Sequence, residues 1–243
     1  MTTPGDQARS EMSSSDDEMV AVAGPEGPPL RRAAILTARL GIVQAILLLV
    51  SVWLLTYIPD ASASDAELVA FYESSERQLA VLVGLYLMPF SAIAFLWFAV
   101  ALRMWAERST AKLDALLSNV QLFSAIVFIT LLLAGAAAST VPAITMEFGN
   151  APFDPTTARE FPQFGSALLV VLSMRLAAMF VFTTSNITRR HGLLPRWFAL
   201  TGFAVGLILL LSPSLNPLLV LVFPTWVLVL SVLLLFRARH MDH

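Results

Sequence analysis

Cysteine is absent from this chain. That excludes disulfides, thiolate catalysis and cysteine-held metal or iron–sulfur centres. Charge is scarce: 13% of 243 residues are charged, against about 25% in a typical soluble domain. The net charge of −2 leaves no basic footprint for nucleic acid. Histidine occurs only as His191, His240 and His243, none inside an apolar run, so helix-borne haem ligation is excluded. No Asp or Glu lies in the apolar body of any long run, so intramembrane proteolysis by paired acids is excluded too. The zinc-peptidase, nucleophile-elbow, P-loop and dinucleotide patterns are all missing. The sequence therefore points away from an enzyme and from any metal, cofactor or nucleic-acid partner.

Apolar residues fill the space that charge leaves, at 57% of the chain with a mean hydropathy of +0.76. A helix needs roughly 20 mostly apolar residues to cross about 30 Å of hydrocarbon. Six segments qualify: 35–58, 79–102, 115–140, 164–186, 197–215 and 218–236. The last two are separated by SPSLNP (Ser212 to Pro217), whose prolines and asparagine mark a tight turn. The expected fold is all-α, a six-span transmembrane bundle over residues 31–243. Residues 1–30, with SSSDDE (Ser13 to Glu18) and GPEGPP (Gly24 to Pro29), read as a disordered cytoplasmic tail.

Basic residues set the orientation. Arg31, Arg32 and Arg39 open the first span. Arg103, Arg108 and Lys112 fill the second-to-third connection, and Arg189, Arg190 and Arg196 the fourth-to-fifth. Arg237 and Arg239 follow the last span. Arg77 and Arg159 stand alone in the alternate loops among eight acidic residues, from Asp60 to Glu160. Positive loops remain cytoplasmic. Both termini are thus expected inside, as an even number of spans requires.

Local signals mark the connections. Ser64 with Glu67 forms a capping box, so SDAELVAFYESSER (Ser64 to Arg77) reads as an amphipathic outer helix. Asp154 before Pro155 is an N-cap for a short helix expected to stop before Pro162. Phe148, Phe153, Phe161 and Phe164 would press that second outer loop onto the bundle mouth. In RRHGLLPRW (Arg189 to Trp197), Gly192 supplies a left-handed cap and Pro195 opens the next helix.

One cation interrupts the fourth span. Arg175 sits mid-run in LLVVLSMRLAAMF (Leu168 to Phe180), where insertion costs about 2.5–3.5 kcal/mol. With no carboxylate at that depth, neutral acceptors are the remaining partners. Pro89 would free the Leu85 carbonyl in the second span, and Pro224 the Val220 carbonyl in the sixth. Gln44, Ser91, Ser124 and Thr225 share the midplane. Together they form a candidate polar belt around Arg175. It is either a structural donor set or a site for an anion, a lipid headgroup or a carboxylate-bearing metabolite.

Small residues mark helix packing. Gly202 and Gly206 form a GxxxG in the fifth span, Gly135 and Ser139 a similar pair in the third, Gly41 and Ala45 one in the first. The fifth-span pair is read as intrachain packing or as a homo-oligomer contact.

Several phrases occur together: DAELVAFY, FLWFAVALR, MEFGNAPFDP, HGLLPRWFALTG and FPTWVLVLSVLLL. In these the chain, from about residue 35 onward, resembles a family of multi-pass membrane proteins of unknown function common in actinobacteria. The resemblance implies a bacterial plasma-membrane location and the six-span architecture, and it brings no activity or site residues. The expected function is a non-enzymatic structural or interaction role in the lipid bilayer. The alternative is a small-molecule, anion or lipid binder or transporter using the Arg175 belt.

Overall fold

Helices account for nearly all of the regular structure, as apolar runs of this length require when no strand pairing is available to satisfy the backbone. The structure, a computed structural model, describes residues 28–59, 62–110, 114–149, 152–211 and 217–240. The tail reading, Lys112, the loop acid Asp60 and the turn Ser212 to Asn216 fall outside these residues. Among the described residues there is no strand.

The elements in chain order are α1 (Pro28–Leu55), α2 (Asp65–Glu73), α3 (Arg77–Ser109), α4 (Ala115–Gly149), α5 (Pro155–Arg190), α6 (Arg196–Leu211) and α7 (Val222–His240). A 3₁₀ turn, Pro217–Leu221, leads into α7. Five helices are long and apolar enough to cross a membrane: α1, α3, α4, α5 and the stretch Leu219–Arg239. The sixth apolar segment, α6, has 16 residues, or about 24 Å of rise. The count shown by length and composition is five, one fewer than the sequence reading. Apolar side chains cover the outside, Trp53, Trp97, Phe123 and Leu200 among them, each more than half exposed. A surface of that kind belongs in lipid.

Two helices run further than expected. The third span was to end at Thr140, but α4 continues through Pro142 to Gly149, with the Thr145 hydroxyl donating to the Val141 and Pro142 carbonyls at 3.0 Å. The short helix after Asp154 was to stop before Pro162, but it runs through that proline into the fourth span. Prolines are absorbed here because side chains and backbone adjustments re-satisfy the groups they free. In α3 the adjustment is a π turn, Val83–Leu87, just before Pro89, closed by the Met88 N–H on the Val83 carbonyl. A second π turn, Ala167–Ser173, lies in α5.

Close approaches fix the helix order. Gly41 of α1 faces Ser231 of α7 and Phe98 of α3, and Gly84 of α3 faces Thr140 of α4. Gly165 of α5 lies against Gly135 and Ser139 of α4, so the third-span pair packs within the chain. Gly202 meets Ser185 and Gly206 meets the Phe182 ring, both on α5. The GxxxG face offered for a second copy is thus covered by α5. The centre is a cluster of buried phenylalanines: Phe95 and Phe98 of α3, Phe128 of α4, Phe180 of α5 and Phe223 of α7. Their closest ring centroids are 4.9–5.1 Å apart. This aromatic plug packs four helices together at mid-depth.

Candidate functional site

Above the plug, on the side of the α2 loop, lies a cavity of about 710 Å³. That volume falls within the range of small-molecule sites. Its wall is built from the end of α1 (Val52 to Pro59), Met88 of α3, Leu132, Ser139 and Thr140 of α4, Pro162 to Val170 of α5, and Val220 before α7. Both π turns border it: Met88 follows the first, and Leu169 and Val170 lie in the second. π turns insert an extra residue and re-aim the side chains around them, and they recur at functional sites.

The lining is graded. Met88, Leu132, Leu169, Val170 and Val220 form an apolar floor, while Tyr57, Ser139, Gln163 and Ser166 bring hydroxyls and an amide. None of the described lining side chains is charged. The side chains of Tyr57, Gln163 and Ser166 make no hydrogen bond to a described residue, so their polar groups remain available. The Thr140 hydroxyl donates back to the Ala136 carbonyl at 2.9 Å, leaving its oxygen to accept.

An outer cap is built from α2 and the loops beside the cavity. The capping box is present as read: Ser64 Oγ accepts from the Glu67 N–H, and Glu67 accepts from the Ser64 N–H at 2.8 Å. Leu68, Phe71 and Tyr72 of α2 bury themselves against Ala80, Ala143 and Ala158. Burial pushes the Tyr72 phenol up to about 12. Arg77 bridges to Glu147 at 2.7 Å and donates to the Tyr72 carbonyl at 3.3 Å. Arg159 reaches Asp65 at 2.5 Å and the Ala63 carbonyl at 2.8 Å, tying the first outer loop to α5. Asp154 caps α5 through the Thr156 and Thr157 N–H groups. A side-chain bond from Thr157 and these backbone bonds hold its carboxyl below the usual range. Of the four loop phenylalanines, only Phe153 packs inward, on Tyr72 at 5.9 Å. Phe148, Phe161 and Phe164 are exposed, contrary to the reading that they press on the mouth. The helical extensions of α4 and α5 carry them outward.

Arg175 lies outside the cavity, about 7 Å along α5 below Val170. It sits beside the face that exposes Leu172 and Met179, away from the buried stripe of Met174, Ala177, Ala178 and Val181. Its guanidinium donates to the Val171 carbonyl of its own helix at 2.6 Å, and so does not take the Leu85 or Val220 carbonyl. The direction was as expected, toward the helix N-terminus, but each proline break is absorbed locally. The π turn absorbs Pro89. Pro224 is the third residue of α7, just after the 3₁₀ turn Pro217–Leu221, within the first turn where its missing N–H is not needed.

The other belt residues do not gather round the arginine. The Ser91 hydroxyl meets the Gln44 main-chain carbonyl at 3.3 Å, which joins α1 and α3. Ser124 and Thr225 donate to Val120 and Leu221 of their own helices at 2.7 Å, and Thr225 is exposed. The Gln44 amide is fully buried without a partner.

Sequence reasoning missed two features. One is the cavity, whose polar residues lie at the outer ends of three spans. The other is a polar set below the plug, where the Gln121 amide donates to Thr184 at 2.7 Å between α4 and α5. A hydroxyl or amide recurring at the same height in several spans is the signal that marks both.

Comparisons with protein-family models, curated proteins and solved structures find no match for this chain.

Proposed function

We propose that this chain is a non-enzymatic, six-span integral membrane protein that holds an uncharged small molecule or lipid in its outer cavity. In this reading both termini are cytoplasmic, the membrane is a bacterial plasma membrane, and the resemblance to the actinobacterial family is real. The cavity carries the proposal: about 710 Å³, walled by parts of five segments, apolar at its base and hydroxylic above.

The helix directions support six spans. The α5–α6 turn and the end of α7 meet, because Arg237 donates to the Leu193 carbonyl. Trp226 stacks on Phe198 at 5.3 Å, so α7 runs antiparallel to α6. That direction supports a return across the bundle between residues 196 and 217. The arginines at the α5–α6 turn and after α7 support a cytoplasmic assignment for that end. In this proposal Arg175 is a structural donor.

Native mass spectrometry from mild detergent tests the binding role. A retained adduct is expected in the wild type and is expected to be lost in Ser166→Trp, which fills the cavity from a half-buried position. An adduct unaffected by Ser166→Trp, or no adduct at all, would leave the second reading, a structural or interaction role. That reading is favoured by the plug, which fills the bundle centre below the cavity.

A further inference from the structure

The cavity's chemistry narrows its occupant beyond the proposal above, on which this inference rests. We infer that it takes an uncharged amphiphile: a hydrocarbon chain on the floor, with a hydroxyl, ester or amide head among Tyr57, Gln163 and Ser166.

Three observations lead there. First, no described lining side chain carries charge, so an anionic or cationic head would enter without a counter-charge. An unpaired ion moved out of water is strongly disfavoured. Second, the two arginines of the outer cap are both committed. Arg77 is held by Glu147 and the Tyr72 carbonyl, and Arg159 by Asp65 and the Ala63 carbonyl. Neither lines the cavity, and each sits beside a carboxylate that would repel a phosphate. Third, the available polar groups suit a neutral head. A phenol, an amide and a hydroxyl can each donate and accept, matching groups that also do both. Below them Leu132, Leu169 and Val220 offer only hydrocarbon, and the phenylalanine cluster closes the way further in.

Such a molecule has two sources, the outer leaflet of the membrane or the water outside it. Their shared chemistry is an apolar tail on an uncharged hydrogen-bonding head.

The test is a matched pair of probes. A monoacylglycerol and its 3-phosphate, with the same acyl chain, differ only in charge. Binding to the full chain in mild detergent is read by native mass spectrometry. The monoacylglycerol is expected to bind about tenfold or more tightly than the phosphate. Gln163→Arg, which puts a cation on the cavity wall at an exposed position, is expected to reverse that order. A short-chain alkyl alcohol added from water separates the sources: binding as tight as that of the monoacylglycerol assigns the site to soluble molecules, and weaker binding to membrane lipid. Equal or tighter binding of the phosphate by the wild type would overturn the inference. If Ser166→Trp blocks that binding, the cavity is still the site and only the ligand class is wrong. If Ser166→Trp leaves both probes bound, the cavity reading fails, and this inference with it.

Discussion

The Arg175 guanidinium and the Val171 carbonyl meet at 2.6 Å within a single helix, at the lower edge of the π turn Ala167–Ser173. Two side chains service that turn, since the Ser173 hydroxyl donates to the Leu169 carbonyl. A π turn widens the backbone and leaves carbonyls poorly directed at their usual donors. The arginine therefore stabilises the segment that places Leu169 and Val170 in the cavity floor.

Replacing Arg175 by Leu removes that donor. A half-buried carbonyl left short of a hydrogen bond costs about 1–2 kcal/mol. Insertion moves in the opposite sense, because a midspan arginine is disfavoured there by about 2.5–3.5 kcal/mol. Arg175→Leu is expected to insert at least as well as wild type while unfolding earlier on heating in detergent. Arg175→Lys, which keeps a donor, is expected to retain most of the stability. Tryptophan fluorescence during thermal unfolding checks this, and identical midpoints for all three proteins would remove the role assigned to the arginine.

Glycines at helix contacts give a sharper contrast. A Cβ on Gly165 would lie 2.6 Å from the Gly135 carbonyl oxygen and 2.6 Å from the Ser139 backbone nitrogen. Backbone cannot swing aside, so α4 and α5 would have to separate. Gly165→Ala is expected to cost about 1–3 kcal/mol, the scale of overpacking. Gly206→Ala meets a movable Phe182 ring at 2.9 Å and is expected to cost less. Gly149→Ala meets nothing within 4 Å and is expected to be neutral. Thermal midpoints in that order are the check, and an unaffected Gly165→Ala would refute the close α4–α5 packing.

What could be read from the sequence was local. The Ser64–Glu67 box, the Asp154–Pro155 start and the Gly192 turn, with φ of 61°, each depend on residues within one helical turn. Gly192 lets the Leu193 N–H close back on the Thr188 carbonyl at 3.0 Å, a bond internal to the motif. The direction of Arg175 was legible for the same reason, since side chains tilt toward the helix N-terminus. Its partner was not, because whether a proline frees a carbonyl depends on how the backbone around it adjusts. Helix ends at Pro142 and Pro162 were misplaced on the same ground. The cavity lay furthest from view. It exists where parts of five segments fail to fill the space between them, and no single segment carries that information.

Acid should loosen the outer cap at a defined point. Hydrogen bonds from Thr157 and Thr156 depress the Asp154 carboxyl below its ordinary 3.8. A depressed folded pKa means the cap contributes stability above the unfolded value, and loses it as pH falls through the folded one. Amide hydrogen exchange over Thr156 to Ala158 is expected to speed up, relative to its intrinsic rate, once the pH drops below about 4. Asp154→Ala is expected to exchange fast throughout, with that acid step abolished. A step of the same size in the variant would assign it to another group.

The missing cysteines make the threading testable without background. Single cysteines at Ser10, Ser75 and Met241 would be the sole thiols in the protein, so a membrane-impermeant maleimide reports each position directly. Ser75 is exposed between α2 and α3, on the cap side of the bundle. Six crossings with positive loops inside predict that Ser75→Cys labels in intact cells. Ser10→Cys and Met241→Cys are expected to label only after the membrane is opened. Five crossings would put the two ends on opposite faces, and one of those two would then label from outside. That result would force Arg196–Leu211 to turn back within the membrane. It would also overturn the proposed crossing by α6, which the contact of Phe198 with Trp226 supports.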